Sequence, residues 1–371
     1  MRLDAALLEE WMRDYYFETD LDIGSSGVHP YTMSEVRQLT GLSTEEIDGV
    51  LFEDSWTLGG PGVRRAVADR YAGGAVERVM VTHGSSEAIF LTMNALLSPG
   101  DEIIALDPAY QQLYGIGEAL GCDVKRWSLE FGAGFRPDLD SLRDMMTPRT
   151  RMVVVNFPHN PTGLSLTPQE QRDLVAVVAE RNAYLVWDAA FGEITYERPP
   201  LPDPGTWYER TISYGTLSKV YGLPGLRVGW CLASPEVLER CARVRDYVSL
   251  HLSPMVELVA ERVISAGDAF IGRRRESARK NRDLLAQWVG DRPGQVGWVP
   301  PEGGVCTFVR LHEVSDTAEF CRGLAREHRV LLVPGSCFEH EGFVRLGFGA
   351  PTSELEAGLA GLATHLDTHS G

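Results

Sequence analysis

Short runs of apolar and β-branched residues recur through the first two thirds of the chain, separated by longer amphipathic stretches. Six of these runs read as strands, at residues 79–82, 102–106, 152–156, 184–188, 211–214 and 228–232. Runs this short and this continuously apolar suit strands buried on both faces. Between several of them lie helix-start signals. Thr167-Pro168-Gln169-Glu170 places a hydroxyl at the cap, proline at the first helical position and Glu three residues after the cap. Ser234-Pro235 opens a segment in the same way, and Ser43 with Glu46 forms a further capping box. Strands alternating with helices predict an α/β fold, with a mostly parallel central sheet covered by helices.

The pattern changes after about residue 250. A charged helical stretch at 268–289 precedes the strand-like runs VCTFVRL, RVLLVPG and FVRLGFG, a helix near 316–327 and a final helix. That order predicts a smaller α+β lobe. At 371 residues the chain exceeds one ordinary core. The expected division is an N-terminal segment, 1–40, packing on the small lobe, a large domain, 41–255, and a C-terminal small domain, 256–371.

Composition narrows the function classes. The formal net charge of -17 argues against nucleic acid or an anionic membrane as partner, although plain solubility explains it equally. The first residues are acidic where a signal peptide would be apolar, and no apolar run approaches a membrane span. None of the six cysteines sits at metal-ligand spacing. They read as reduced thiols of a cytoplasmic protein, with no metal site.

The chemistry gathers around Lys219. A lone lysine belongs in water, but this one sits in YGTLSKVYGLPGLRVGW. Thr216 and Ser218 can bond a phosphate, Arg227 can grip it in bidentate fashion, and nearby glycines let backbone approach a ligand. A second phosphate element is Gly84-Ser85-Ser86, a turn opening a helix, which is also a common plain cap. Asp188 ends the run YLVWD, where ligands meet such sheets, or else caps a helix. Asn160 lies in the turn NFPHNPTG, and Tyr110 follows another strand and could stack on a ring or pack in the core. Arg345, among apolar residues in FVRLGFG, needs an anion: a ligand carboxylate or a structural ion pair.

In that order and spacing, these elements resemble the fold type I pyridoxal-phosphate (PLP) enzymes, the aspartate aminotransferase superfamily, over nearly the whole chain. The resemblance implies that the large domain binds PLP. It implies covalent attachment at Lys219, phosphate contacts from Ser85, Ser86, Thr216, Ser218 and Arg227, and ring stacking by Tyr110. It further implies Asn160 on the phenolic oxygen, Asp188 on the ring nitrogen, Arg345 on a substrate carboxylate, and a homodimer. Two positions depart from the family. Phe191 stands where many members have a tyrosine that donates to the phenolic oxygen, and Trp56 stands near a tyrosine that reaches the neighbouring subunit.

The N-terminal segment EEWMRDYYFETDLDIGSSGVHPYTMSEV is similar to that of the capreomycidine synthases. That similarity implies cyclisation of β-hydroxy-L-arginine through α-deprotonation, loss of water and attack of the guanidine on the β-carbon. It also implies a place in peptide or streptothricin-type antibiotic biosynthesis. His29 is the expected acid for hydroxide departure, its alternative being a histidine packed in the loop. Ser25 and Gly27 are expected substrate contacts. An acidic partner for the guanidinium is expected, but no single Asp or Glu stands out. The competing readings are an aminotransferase of a basic or aromatic amino acid, a β-lyase, and a non-catalytic PLP-binding regulatory domain.

Overall fold

The computed structural model describes residues 2–369. After the short β1 (Leu21–Asp22) come β2 (Val79–Thr82), β3 (Glu102–Asp107), β4 (Asp123–Ser128), β5 (Thr150–Asn156), β6 (Tyr184–Asp188), β7 (Thr211–Thr216) and β8 (Gly229–Leu232). The last seven form one sheet in the order β2-β8-β7-β6-β5-β3-β4. Strands β7 to β4 pair in parallel, and only β8 runs against its neighbours β2 and β7.

Alternation along each strand feeds two cores. Ile104, Leu106, Val153, Val155, Leu185 and Trp187 enter one apolar cluster, while Ile103, Ala105, Met152, Val154, Val186 and Ile212 enter the other. With both faces buried, the strands read as continuous apolar runs. All six predicted strands are present. The sequence reading did not include β4, DVKRWS, of which only Trp127 is buried. It is an edge strand that, unlike the other edge β2, lies half in water, so its apolar signal is weak. The helices Pro168–Glu180 and Pro235–Arg245 begin at the caps expected of them, Thr167 and Ser234.

The later strands are β9 (Val296–Gly297), β10 (Cys306–Leu311), β11 (Val330–Leu331), β12 (Val333–Pro334) and β13 (Phe343–Gly347). Four of them make an antiparallel sheet in the order β12-β13-β10-β9. The fifth, β11, pairs in parallel with β1, Leu21 opposite Val330. Trp11, in the helix Leu7–Tyr15, donates its indole N–H to the Leu332 carbonyl at 2.9 Å. The N-terminal segment is thereby tied to strands more than 300 residues away. Among the described residues no helix is long and apolar enough to cross a membrane, and all six cysteines are free.

Candidate active site

A cavity of about 940 Å³ opens where β5, β6 and β7 end, between the sheet and the N-terminal segment. Every candidate residue named above borders it except Gly84, which lies directly behind. The carboxyl ends of parallel strands converge there, so residues far apart in sequence reach one space.

One wall is built for an anion. The helix Gly84–Leu96 starts two residues after β2, and no side chain caps its first turn. Its free N–H groups and the Ser85 and Ser86 hydroxyls therefore face the cavity. From the other side, Arg227 Nη1 donates to Ser218 Oγ at 3.2 Å, and the Ser218 N–H donates to Thr216 Oγ1 at 3.1 Å. Two glycines permit this approach. A Cβ on Gly84, whose φ is +71°, would fall 2.7 Å from Arg227 Nη2, and one on Gly229 would fall 2.5 Å from Ser85 N. Arg227 is itself held left-handed, at φ +54°.

Deeper in, the Lys219 amine is pulled down to about 8 by burial first and by the charge of Arg345 second. It donates to Ser26 Oγ at 3.0 Å and sits 5.9 Å from the centre of the Phe191 ring. Asp188 closes β6 and is 6% exposed. Burial pushes its carboxyl up to about 6, against the Ala190 N–H that donates to it at 2.9 Å. Asn160 accepts from Arg345 Nη1 at 3.2 Å. Tyr110 donates its hydroxyl to Glu9 Oε1 at 2.6 Å, and burial holds that hydroxyl well above the usual phenol range.

Arg345, on β13, donates Nε to the Gly24 carbonyl at 3.1 Å. Among the described residues no carboxylate lies within 4.0 Å of its guanidinium. The structural ion pair that competed for this arginine is therefore absent. His29 is exposed at the rim, and its backbone N–H donates to the Gly349 carbonyl at 3.0 Å. The loop carrying Ser25, Gly27 and His29 packs on the end of β13. A Cβ at Gly347 would fall 1.8 Å from the Ser25 carbonyl, and one at Gly349 would fall 2.1 Å from the Gly27 carbonyl.

Sequence reasoning missed Ser26, although it named both neighbours. It also missed Glu9, Asp22 and Glu354, which border the cavity. Glu9, Asp22 and Ser26 lie in the N-terminal segment already singled out. Glu354 has no sequence signal beyond that of an acidic residue in a helix's first turn.

Residues 57–362 match the family Aminotransferase class I and II. A capreomycidine synthase from Streptomyces vinaceus is 44% identical over 370 residues, covering 99% of this chain and 95% of the relative. Among solved structures, the PLP-dependent cyclase OrfR has a TM-score of 0.95 and 46% identity, covering 99% of this chain and 98% of that one. A PLP-dependent aminotransferase from Streptococcus suis 89-1591 also reaches 0.95, at 31% identity over 100% of each chain.

Proposed function

The chain belongs to the Aminotransferase class I and II family, and on that premise we propose that it uses pyridoxal 5′-phosphate to cyclise β-hydroxy-L-arginine to capreomycidine with loss of water. The residues present fit the cofactor. The wall of Ser85, Ser86, Thr216, Ser218 and Arg227 suits a dianionic phosphate, and Gly84 and Gly229 leave room where a Cβ would intrude. Tyr110 would stack on the ring, Asn160 would donate to its phenolic oxygen, Asp188 would keep its nitrogen protonated and Lys219 would be its covalent anchor. When bound, the cofactor draws electrons from the substrate's α-carbon.

The chain's own groups do the rest. Arg345 takes the substrate carboxylate that its buried charge lacks. Lys219, with its amine held near 8, is partly neutral at physiological pH and accepts the α-proton. His29 supplies the proton with which the β-hydroxyl leaves as water. A guanidine nitrogen bonds to the β-carbon and gives up one proton, and the α-carbon regains one. One C–O bond breaks, one C–N bond forms, and no keto acid, oxidant or reductant is consumed. Phe191 lies beside Lys219 and, unlike a tyrosine there, would offer the cofactor's phenolic oxygen no donor. The N-terminal loop borders the cavity and, with substrate bound, would limit the entry of water to the reacting carbons.

The observation that carries cyclisation over amino transfer is the 44% identity to a capreomycidine synthase across 99% of the chain, N-terminal segment included. That segment is the one that brings Ser26 to Lys219. In this reading, residues 41–255 carry the cofactor and 256–371 form a smaller lobe. The working unit is a cytoplasmic homodimer serving peptide or streptothricin-type antibiotic biosynthesis. Exposed Phe52, Trp56 and Tyr247 support an unseen partner surface.

The test is a mass-spectrometric assay with β-hydroxy-L-arginine and PLP in the absence of any keto acid. The expected product is lighter by one water, keeps its primary amine and carries a ring by NMR. A keto acid with ammonia would make the enzyme a β-lyase. Product formed only after keto acid is added would make it an aminotransferase.

A further inference from the structure

The cavity has an acidic side that the steps above do not use. Glu9, Asp22 and Glu354 border it, and each is anchored by one oxygen only. Glu9 Oε1 accepts from the Tyr110 hydroxyl at 2.6 Å. Asp22 Oδ1 accepts from the Gly24 and Ser25 N–H groups at 3.0 and 2.8 Å. Glu354 Oε1 accepts from the Asp22 N–H at 2.9 Å. Among the described residues, the second oxygen of each takes no hydrogen bond, and no basic group lies within 4.0 Å of any of the three. Asp22 and Glu354, joined through the Asp22 N–H, leave two acceptor oxygens open on the cavity, which a cationic ligand can use.

A second observation, at Arg345, points to the same ligand. Arg345 is 2% exposed, lacks an acidic partner and has no hydrogen bond from Nη2 among the described residues. Asp22 and Glu9 both act on its charge, so acids and arginine share one field. A ligand that satisfies both the arginine and the acids carries a carboxylate and a second cation. Asp22 and Glu354 are adjacent, and each offers one open oxygen. A planar guanidinium, with five N–H donors in a fixed fork, can bond separate acceptors at once, which a compact ammonium does less well.

We propose that Asp22 and Glu354 form the subsite for the guanidinium end of the substrate. The inference rests on the reading that the substrate is an amino acid held at Lys219 and Arg345.

The test is equilibrium binding of L-arginine and of L-citrulline, its neutral ureido counterpart, to the PLP-loaded enzyme by calorimetry. The wild type should prefer arginine by at least about tenfold, the loss of one buried charge pairing. Asp22→Asn and Glu354→Gln keep the anchored oxygen and remove only charge. Each should reduce the preference, and the double variant should abolish it while citrulline binding stays within about twofold. No preference in the wild type would overturn the assignment, as would a preference surviving in the folded double variant. The two readings fail separately. Arginine preference without water loss from β-hydroxy-L-arginine keeps the subsite and removes the cyclisation; cyclisation without arginine preference does the reverse.

Discussion

Arg245 and Arg345 are both withdrawn from water, at 0% and 2% exposure. Arg245, in the helix Pro235–Arg245, donates to the Thr57 and Val81 carbonyls at 2.6 and 2.8 Å, and its Nη2 lies 3.5 Å from Glu87. Glu87 is in turn held low, to about 2, against its own burial, by His83, Arg245 and Ser249. That charge is balanced inside the protein. Arg345 has a carbonyl and an amide oxygen but no acid. Burial alone does not mark a functional charge. What distinguishes Arg345 is that no carboxylate among the described residues lies within 4.0 Å of it and that it borders a cavity able to admit an anion.

Substitutions can break that contrast. The largest effect belongs to Lys219→Ala, which should remove the cofactor's bound absorption band and lower turnover by about 10⁴-fold or more. Turnover that survives would end the proposed mechanism. Arg345→Met should lower kcat/KM by about 10²–10³-fold, in the range for truncating one partner of a buried charge pair, with little loss of folding stability. Arg245→Met should do the opposite. It takes the guanidinium from buried Glu87, leaving only His83 and Ser249, and should destabilise the fold by about 3–5 kcal/mol in denaturant melts. Equal stability losses in the two arginine variants would erase the distinction.

A pH measurement sharpens it. Cofactor attachment needs a neutral amine, so its rate in the cofactor-free enzyme should rise through about pH 8, followed by absorbance. Because Arg345 helps depress that value, Arg345→Met should move the midpoint upward. For stability, the folded amine lies below its ordinary 10.5. Its contribution is therefore complete above pH 10.5 and is lost as pH falls through about 8. Cofactor-free Lys219→Met should then be more stable than wild type at pH 7, by about 3 kcal/mol. The smallest effect is expected of His29→Phe, about 10²-fold in turnover at most, with cofactor binding unchanged. Undiminished turnover would remove His29 from the reaction.

Much of the site was legible because its residues sit at predictable places in local patterns. Thr216, Ser218, Lys219 and Arg227 fall within one short stretch, and Asn160 and Asp188 follow strands that their apolar runs reveal. The edge strand β4 was not legible, since water covers part of it and its sequence stays polar. The helix Met33–Thr40 was overlooked even though Thr32 and Glu35 form a full capping box in the plain sequence. Ser26 was missed for a different reason. A serine among Ser25, Gly27 and their neighbours has no feature of its own until β1 pairs with β11 and the loop settles on Gly347 and Gly349.

The sequence by itself determined the alternating elements, the two-faced burial of the central strands and the local phosphate wall. Those follow from periodicity, caps and the backbone freedom of glycine, all of which act over a few residues. Tertiary structure alone decided which of 52 acidic residues face the cavity, and that among the described residues no acid lies within 4.0 Å of Arg345. Glu354 meets Asp22 across 332 positions, and Lys219 meets Ser26 across 193. Charge balance at a point depends on every group within a few ångströms, and only the folded chain sets those distances.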